Sequence, residues 1–136
     1  MTIMILDGQG GGLGRSLIDA VVKEYSTAET VAVGTNSAAT AAMVKGSKIQ
    51  GATGENAVAY NAARADVIIA PLGAYFANGL LGEISAAMAN SLAASPAFKI
   101  AIPGAGSPVN IASHKSLSAA DEIRQALALL RQRFPA

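Results

Sequence analysis

The chain reads as an α/β domain, a minimal doubly wound parallel sheet of about five strands in the order 3-2-1-4-5. Three observations carry that reading. Short, almost wholly apolar runs alternate with segments of helical period along all 136 residues, the pattern of strands buried on both faces by crossover helices. No linker, internal repeat or low-complexity tract interrupts the alternation. A glycine-rich turn from Gly8 to Gly14 joins the first apolar run to the clearest amphipathic segment, as in sheets whose strand-to-helix loops share one edge.

In chain order, Ile3-Met4-Ile5-Leu6 forms the first strand. Leu17, Ile18, Val21, Val22 and Tyr25 recur at i, i+1, i+4, i+5 and i+8, with Arg15, Asp19, Lys23 and Glu24 opposite them, which predicts an amphipathic helix. Thr30-Val31-Ala32-Val33 is the second strand, followed by a short Ala-rich helix from Ser37 to Val44, capped by Asn36 or Ser37 and ended by Gly46. Lys48-Ile49-Gln50 is a weaker third strand, and Thr53 caps a helix running to about Arg64. Val67-Ile68-Ile69-Ala70 is the fourth strand. Ser85 caps the next helix, which carries Met88 and Leu92 and stops at Ser95-Pro96. Lys99-Ile100-Ala101-Ile102 is the fifth strand. Ser118-x-x-Asp121 opens a last helix with Ile123, Leu127, Leu130 and Phe134 on one side, and Arg131 and Arg133 in its final turn, where cations favour the helix dipole.

One domain, residues 1–136, is expected at this length, with a core large enough to fold without disulfides or a metal. Ten Lys plus Arg against nine Asp plus Glu leave a net charge of +1 without a basic run, which points away from nucleic acid and membrane as partners. The absence of Cys removes disulfide scaffolds and thiolate metal sites, and His114 is the only imidazole, so no metal site is expected. Mean hydropathy is +0.39. Yet the uncharged stretch from Val67 to Gly82 is broken by Pro71, Gly73, Asn78 and Gly79, which predicts no spanning helix. Asp7 within the first apolar run argues against a signal peptide, and a cytoplasmic location is expected.

The functional reading rests on Asp7-Gly8-Gln9-Gly10-Gly11-Gly12-Leu13-Gly14-Arg15-Ser16. Glycines permit positive φ and close backbone approach, and the helix that follows turns free N–H groups and its positive end toward an anion. The turn is therefore expected to hold a phosphate-bearing small molecule, a nucleotide or a dinucleotide such as NAD(P), through Asp7, Gly8, Gln9, Gly10, Gly11, Gly12, Leu13 and Gly14. Arg15 is a candidate second donor to the phosphate. The competing reading is that the glycines serve only a tight strand-to-helix turn. Strict G-x-G-x-x-G fails, because the sixth position from Gly8 is Leu13, whereas Gly8-x-x-x-Gly12-x-Gly14 resembles the loop of short-chain dehydrogenases. Their Tyr-x-x-x-Lys pair is not reproduced, since Tyr60-x-x-x-Arg64 precedes the fourth strand and carries the wrong base. A Walker A reading of Gly11 to Ser16 fails as well: Arg15 replaces the phosphate-bridging Lys, and the fourth strand ends in Ala70-Pro71 where an Asp should hold magnesium.

Two further loops are expected at the same edge. Thr35 and Asn36 end the second strand where dinucleotide-binding folds carry a ribose-holding acid, and their hydroxyl and amide suit a ribose or a 2′-phosphate, with helix capping as the competing role. Thr53, Glu55 and Asn56, after the third strand, are candidates for reading a sugar, base or small substrate, again against a capping role. Asp7 either orients the glycine turn by accepting backbone N–H bonds, the favoured reading, or acts as a base; no catalytic set is identified, and His114 is placed in a surface loop. Tyr75, Phe76, Leu80 and Leu81 form an apolar segment that is either a lid or a subunit contact, and with the Ala-rich helices it predicts a homodimer.

Taken together, Ile5 through Gly14, Gly34-Thr35-Asn36, Gly51-Ala52-Thr53-Gly54-Glu55-Asn56-Ala57, Asp66 through Pro71, and Ala77-Asn78 with Leu81-Gly82-Glu83-Ile84 resemble a small bacterial family catalogued as a domain of unknown function. The resemblance covers residues 1–103, and Gly104 to Ser118 departs from it. It implies a short Rossmann-like cytoplasmic protein and supplies no catalytic residues. Two functional classes follow from the sequence: a nucleotide-binding protein, at its furthest a minimal oxidoreductase, or a non-catalytic regulatory or structural subunit.

Overall fold

The computed structural model describes residues 1–104, 109–113 and 115–136, so His114 lies outside the described residues. Strands β1 (Thr2–Asp7), β2 (Glu29–Gly34), β3 (Gln50–Thr53), β4 (Val67–Pro71) and β5 (Phe98–Ile102) pair in parallel in the order β3-β2-β1-β4-β5. This is the topology the alternating pattern predicts. Helices α1 (Gly12–Glu24), α2 (Ser37–Val44), α3 (Glu55–Ala62), α4 (Ala86–Ala94) and α5 (Ala119–Arg133) complete the βα units.

Successive strand residues point to opposite faces, and both faces are covered. Ile3, Ile5, Ile69 and Ile100 pack with Leu17, Ile18 and Val21 of α1, Met43 of α2 and Leu127 and Leu130 of α5. Met4, Leu6, Val33 and Ile68 pack on the other side with Val58 and Ala62 of α3 and Met88 and Leu92 of α4. The chain winds outward from β1 through β2 to β3, then returns to the far side of β1 for β4 and β5. The loops after β1 and β4 therefore diverge and leave a crevice at the carboxyl edge.

Asn36, Ser85 and Ser118 cap α2, α4 and α5 by accepting the N–H groups of Ala39, Met88 and Asp121. Three local expectations are corrected. Thr53 is the last residue of β3 and does not cap α3: the N-cap is Gly54 at φ +100°, and the Thr53 hydroxyl instead lies 2.7 Å from that of Thr40. β3 begins at Gln50 and not at Lys48, because Gly46 (φ +70°) turns the chain and the Ile49 N–H bonds the Ser47 hydroxyl before pairing with β2 starts. Val22 falls at the edge of the α1 stripe and is 37% exposed.

Candidate functional site

The glycine-rich turn is built from beneath by Asp7. Its carboxylate, 6% exposed, accepts the Gly8 N–H at 2.8 Å and the Gly14 N–H at 2.7 Å, and so clamps the end of β1 to the first turn of α1. Burial pushes the Asp7 pKa above its ordinary 3.8 and the two N–H groups pull it back. Gly11 caps α1 in the left-handed region at φ +74°, and its N–H bonds the Gly8 carbonyl at 2.9 Å.

The glycines fall into two groups. A Cβ on Gly8 would sit 2.6 Å from Thr35 Oγ1, one on Gly11 would sit 2.6 Å from the Ala39 carbonyl oxygen, and one on Gly14 would overlap Met43 Sδ. Packing accounts for these three. A Cβ on Gly10 or Gly12 would meet nothing within 4 Å, and neither residue has a positive φ. Both border the crevice. The N–H groups of Gly10, Gly12 and Leu13 have no acceptor among the described residues.

The crevice has a volume of about 790 Å³, within the usual range for small-molecule sites. Asp7 to Leu13 form one wall; Pro71, Gly73 and Asn78 to Leu81 form the second; Ile102 to Gly104 with Ala119 and Glu122 form the third. The second wall belongs to a strap, the segment that the sequence offers as either a lid or a subunit contact. After a 3-10 turn at Leu72–Tyr75, the chain closes on itself through Asn78 N–H to Ile84 O at 2.7 Å, with Leu80, Leu81 and Gly82 all at positive φ. Tyr75 is used by the fold, donating its hydroxyl to the Ile100 carbonyl at 2.9 Å, and burial raises its pKa. Leu80 packs over Gly8 and Gly73, while Leu81 is 95% exposed.

Glu83 fastens the strap. It accepts hydrogen bonds from the Thr35 hydroxyl at 2.6 Å, the Asn36 amide at 2.7 Å and the Gln9 N–H at 2.9 Å. These bonds, the Thr35 hydroxyl first, hold its carboxyl below the ordinary 4.5. The acid that is absent from the end of β2 in sequence thus arrives from the loop after β4. Its only sequence signal is the pair of neutral donors at Thr35 and Asn36.

The other expected site residues are distributed differently. Arg15 turns away from the crevice, pairing with Asp19 at 3.1 Å and donating to the carbonyls of Ala42 and Lys45. Thr35 and Asn36 adjoin the glycine turn under Glu83. Thr53 and Asn56 border a separate depression beside β3, and Glu55 accepts the Ser85 hydroxyl at 2.7 Å. The expected convergence of Glu55 and Asn56 on the glycine turn is therefore not met. β3 is the outer strand, two positions from β1, and α3 leaves it over the opposite face. Sequence reasoning also missed Glu122, whose position in the first turn of α5 is that of an ordinary dipole-favoured acid.

Residues 2–135 match the family described as a domain of unknown function (DUF3842). The chain belongs to that family. The match extends through β5 and α5, past residue 103 where the motif resemblance ended, so the third wall of the DUF3842 crevice lies within the family's span. No curated protein and no solved structure matches the chain. Among the described residues, no group of three or more His, Cys, Asp or Glu could hold a metal ion, and no helix is long and apolar enough to cross a membrane.

Proposed function

We propose that the DUF3842 crevice binds a nucleotide by its phosphate at the glycine-rich turn. The observation that carries this reading is the pair Gly10 and Gly12. Neither is required by packing or by positive φ, both border the crevice, and they lie beside unpaired N–H groups at the start of α1. Backbone donors with the positive end of a 13-residue helix behind them suit an anion. Glu83 and Leu80 already occupy the β2 side of the turn, where the adenosine half of a dinucleotide would lie, and the space opens toward β4 and β5. A mononucleotide, or the nicotinamide half of NAD(P), suits that shape better than a whole dinucleotide. The second reading, a non-catalytic regulatory or structural subunit, draws support from Gly8, Gly11, Gly14 and Asp7, all of which the fold itself uses.

A thermal-shift panel of pyrophosphate, AMP, ADP, NAD and NADP separates the two. A ligand at ~100 times its dissociation constant stabilises by about 2.7 kcal/mol, which for a domain of this size is roughly a 10 °C rise. At least one phosphate-bearing compound is expected to give that rise, and flat melts across the panel would leave the subunit reading.

Self-association belongs to the same proposal. The apolar segment after β4 is narrower than its sequence suggests, since Tyr75 and Leu80 are taken up by the fold, but Phe76 and Leu81 stay exposed. Light scattering is expected to give about twice 13.6 kDa. A monomer throughout the micromolar range would make Leu81 part of the crevice mouth alone. Nucleotide binding of this kind fits a cytoplasmic protein.

A further inference from the structure

We propose that Glu122 is the hydroxyl-recognising end of the crevice, so that its occupant is a phosphate ester carrying free sugar hydroxyls. This rests on the reading that the glycine-rich turn holds the phosphate. Glu122 is only 6% exposed, yet it lines the crevice. Its Oε2 accepts the Gly104 N–H at 3.0 Å, and Oε1 takes no hydrogen bond among the described residues. The other carboxylate on the crevice, Asp7, has both oxygens bonded to the N–H groups of Gly8 and Gly14. Oε1 is open to the crevice, so a donor brought by the occupant can reach it without displacing any hydrogen bond of the described residues.

The chemistry of the donor follows from the surroundings. A carboxylate only accepts, so it repels a second phosphate and draws a hydroxyl or an amine. An ammonium has three donors to satisfy, and Glu122 stands beside Ile102, Pro103 and Ala119, whose side chains accept nothing. A sugar hydroxyl needs one acceptor. The crevice is thus polarised, with backbone N–H groups for the phosphate on one wall and Glu122 for the hydroxyl on another.

The test compares ribose 5-phosphate with methyl phosphate, which lacks a free hydroxyl, by calorimetry on the full chain and on Glu122→Gln. Glutamine keeps an oxygen for the Gly104 N–H and turns its NH₂ to the crevice, so the acceptor is lost while the loop is held. The wild-type protein is expected to prefer ribose 5-phosphate about thirtyfold, and Glu122→Gln to bind the two within about twofold. The same preference in both proteins, no preference in the wild type, or tighter binding of phosphoethanolamine than of ribose 5-phosphate would overturn the proposal. Should Glu122→Gln not fold, the wild-type preference decides alone. If neither monoester nor pyrophosphate binds the wild type, the phosphate reading fails and this one with it; if methyl phosphate binds but ribose 5-phosphate gains nothing, only the role of Glu122 fails. AMP supplies the last arm. AMP binding more tightly than ribose 5-phosphate supports a nucleotide as the source of the hydroxyl, and AMP binding no more tightly supports a free sugar phosphate.

Discussion

Gly12→Val is expected to melt within about 1 kcal/mol of the wild type and to bind none of the phosphate compounds, while Gly14→Val, two residues on, is expected to lose about 3 kcal/mol or more of stability. The two residues share a loop and differ in what surrounds them. A Cβ at Gly12 meets nothing within 4 Å, and φ there is not positive, so a branched side chain at the start of α1 strains nothing in the fold. Its methyl groups would occupy the space before the Gly12 and Leu13 N–H groups, where a phosphate has to come within about 3 Å. The lost affinity is then at least the hundredfold that separates bound from unbound in a melt. At Gly14 the new atoms would collide with the Met43 side chain and stand 2.8 Å from Asp7 Cβ, forcing α1 away from both α2 and β1. For a chain of this length, 3 kcal/mol corresponds to roughly 10 °C in the melting midpoint. Melting curves for both variants, with and without AMP, check the pair. A folded Gly12→Val protein that still shifts with AMP would return the turn to a purely structural role.

The contrast between those glycines was invisible in sequence, although the fold was not. Strand order could be read because β1, β2 and β4 are buried on both faces and advertise it as apolar runs, while β5, an outer strand, buries only Ile100 and Ile102 and still reads as Ile-Ala-Ile, a signal that depends only on local residues. β3 misled by two residues because it is an outer strand, partly exposed, with Gly51 and Thr53 where the inner strands carry Val and Ile. Caps at Asn36, Ser85 and Ser118 were legible for the same local reason, whereas Thr53 looked like a cap and was claimed by Thr40, 13 residues away. The site depends still more on distance along the chain. Glu83 reaches Asn36 across 47 residues and Thr35 across 48, and Glu122 reaches Gly104 across 18. Their identity as acids was plain, and their placement follows only from the crossover that returns β4 to the side of β1. Arg15 shows the reverse: its place beside the glycines suggested a phosphate contact, but a helical residue four positions before Asp19 finds its partner on its own helix first.

Asp7→Asn is expected to cost about 1–3 kcal/mol at neutral pH and to weaken binding of pyrophosphate or AMP, and its deficit is expected to grow on acidification. The carboxylate gives one oxygen to the Gly8 N–H and the other to the Gly14 N–H. An amide keeps one oxygen and sets an NH₂ against the second N–H, so one buried donor is left without an acceptor and the first turn of α1 loses its anchor. Phosphate affinity falls through that loss of positioning, because the free N–H groups of Gly12 and Leu13 lie within the segment Asp7 clamps. The pH dependence has a definite sign. Burial raises the Asp7 pKa above 3.8, so the folded protein binds this proton more readily than the unfolded chain does. The associated stability is fully present below 3.8 and is lost as pH rises through the raised folded value. The wild type recovers that contribution as pH falls from neutrality, and a protonated carboxyl still offers a lone pair on each oxygen. Asparagine neither titrates nor regains an acceptor. Denaturant midpoints of the two proteins, compared between pH 7 and about pH 4, should therefore separate further toward the acid side. Midpoints that converge instead would show that the ionised carboxylate is what the fold prefers, and that the two N–H bonds outweigh the burial of Asp7.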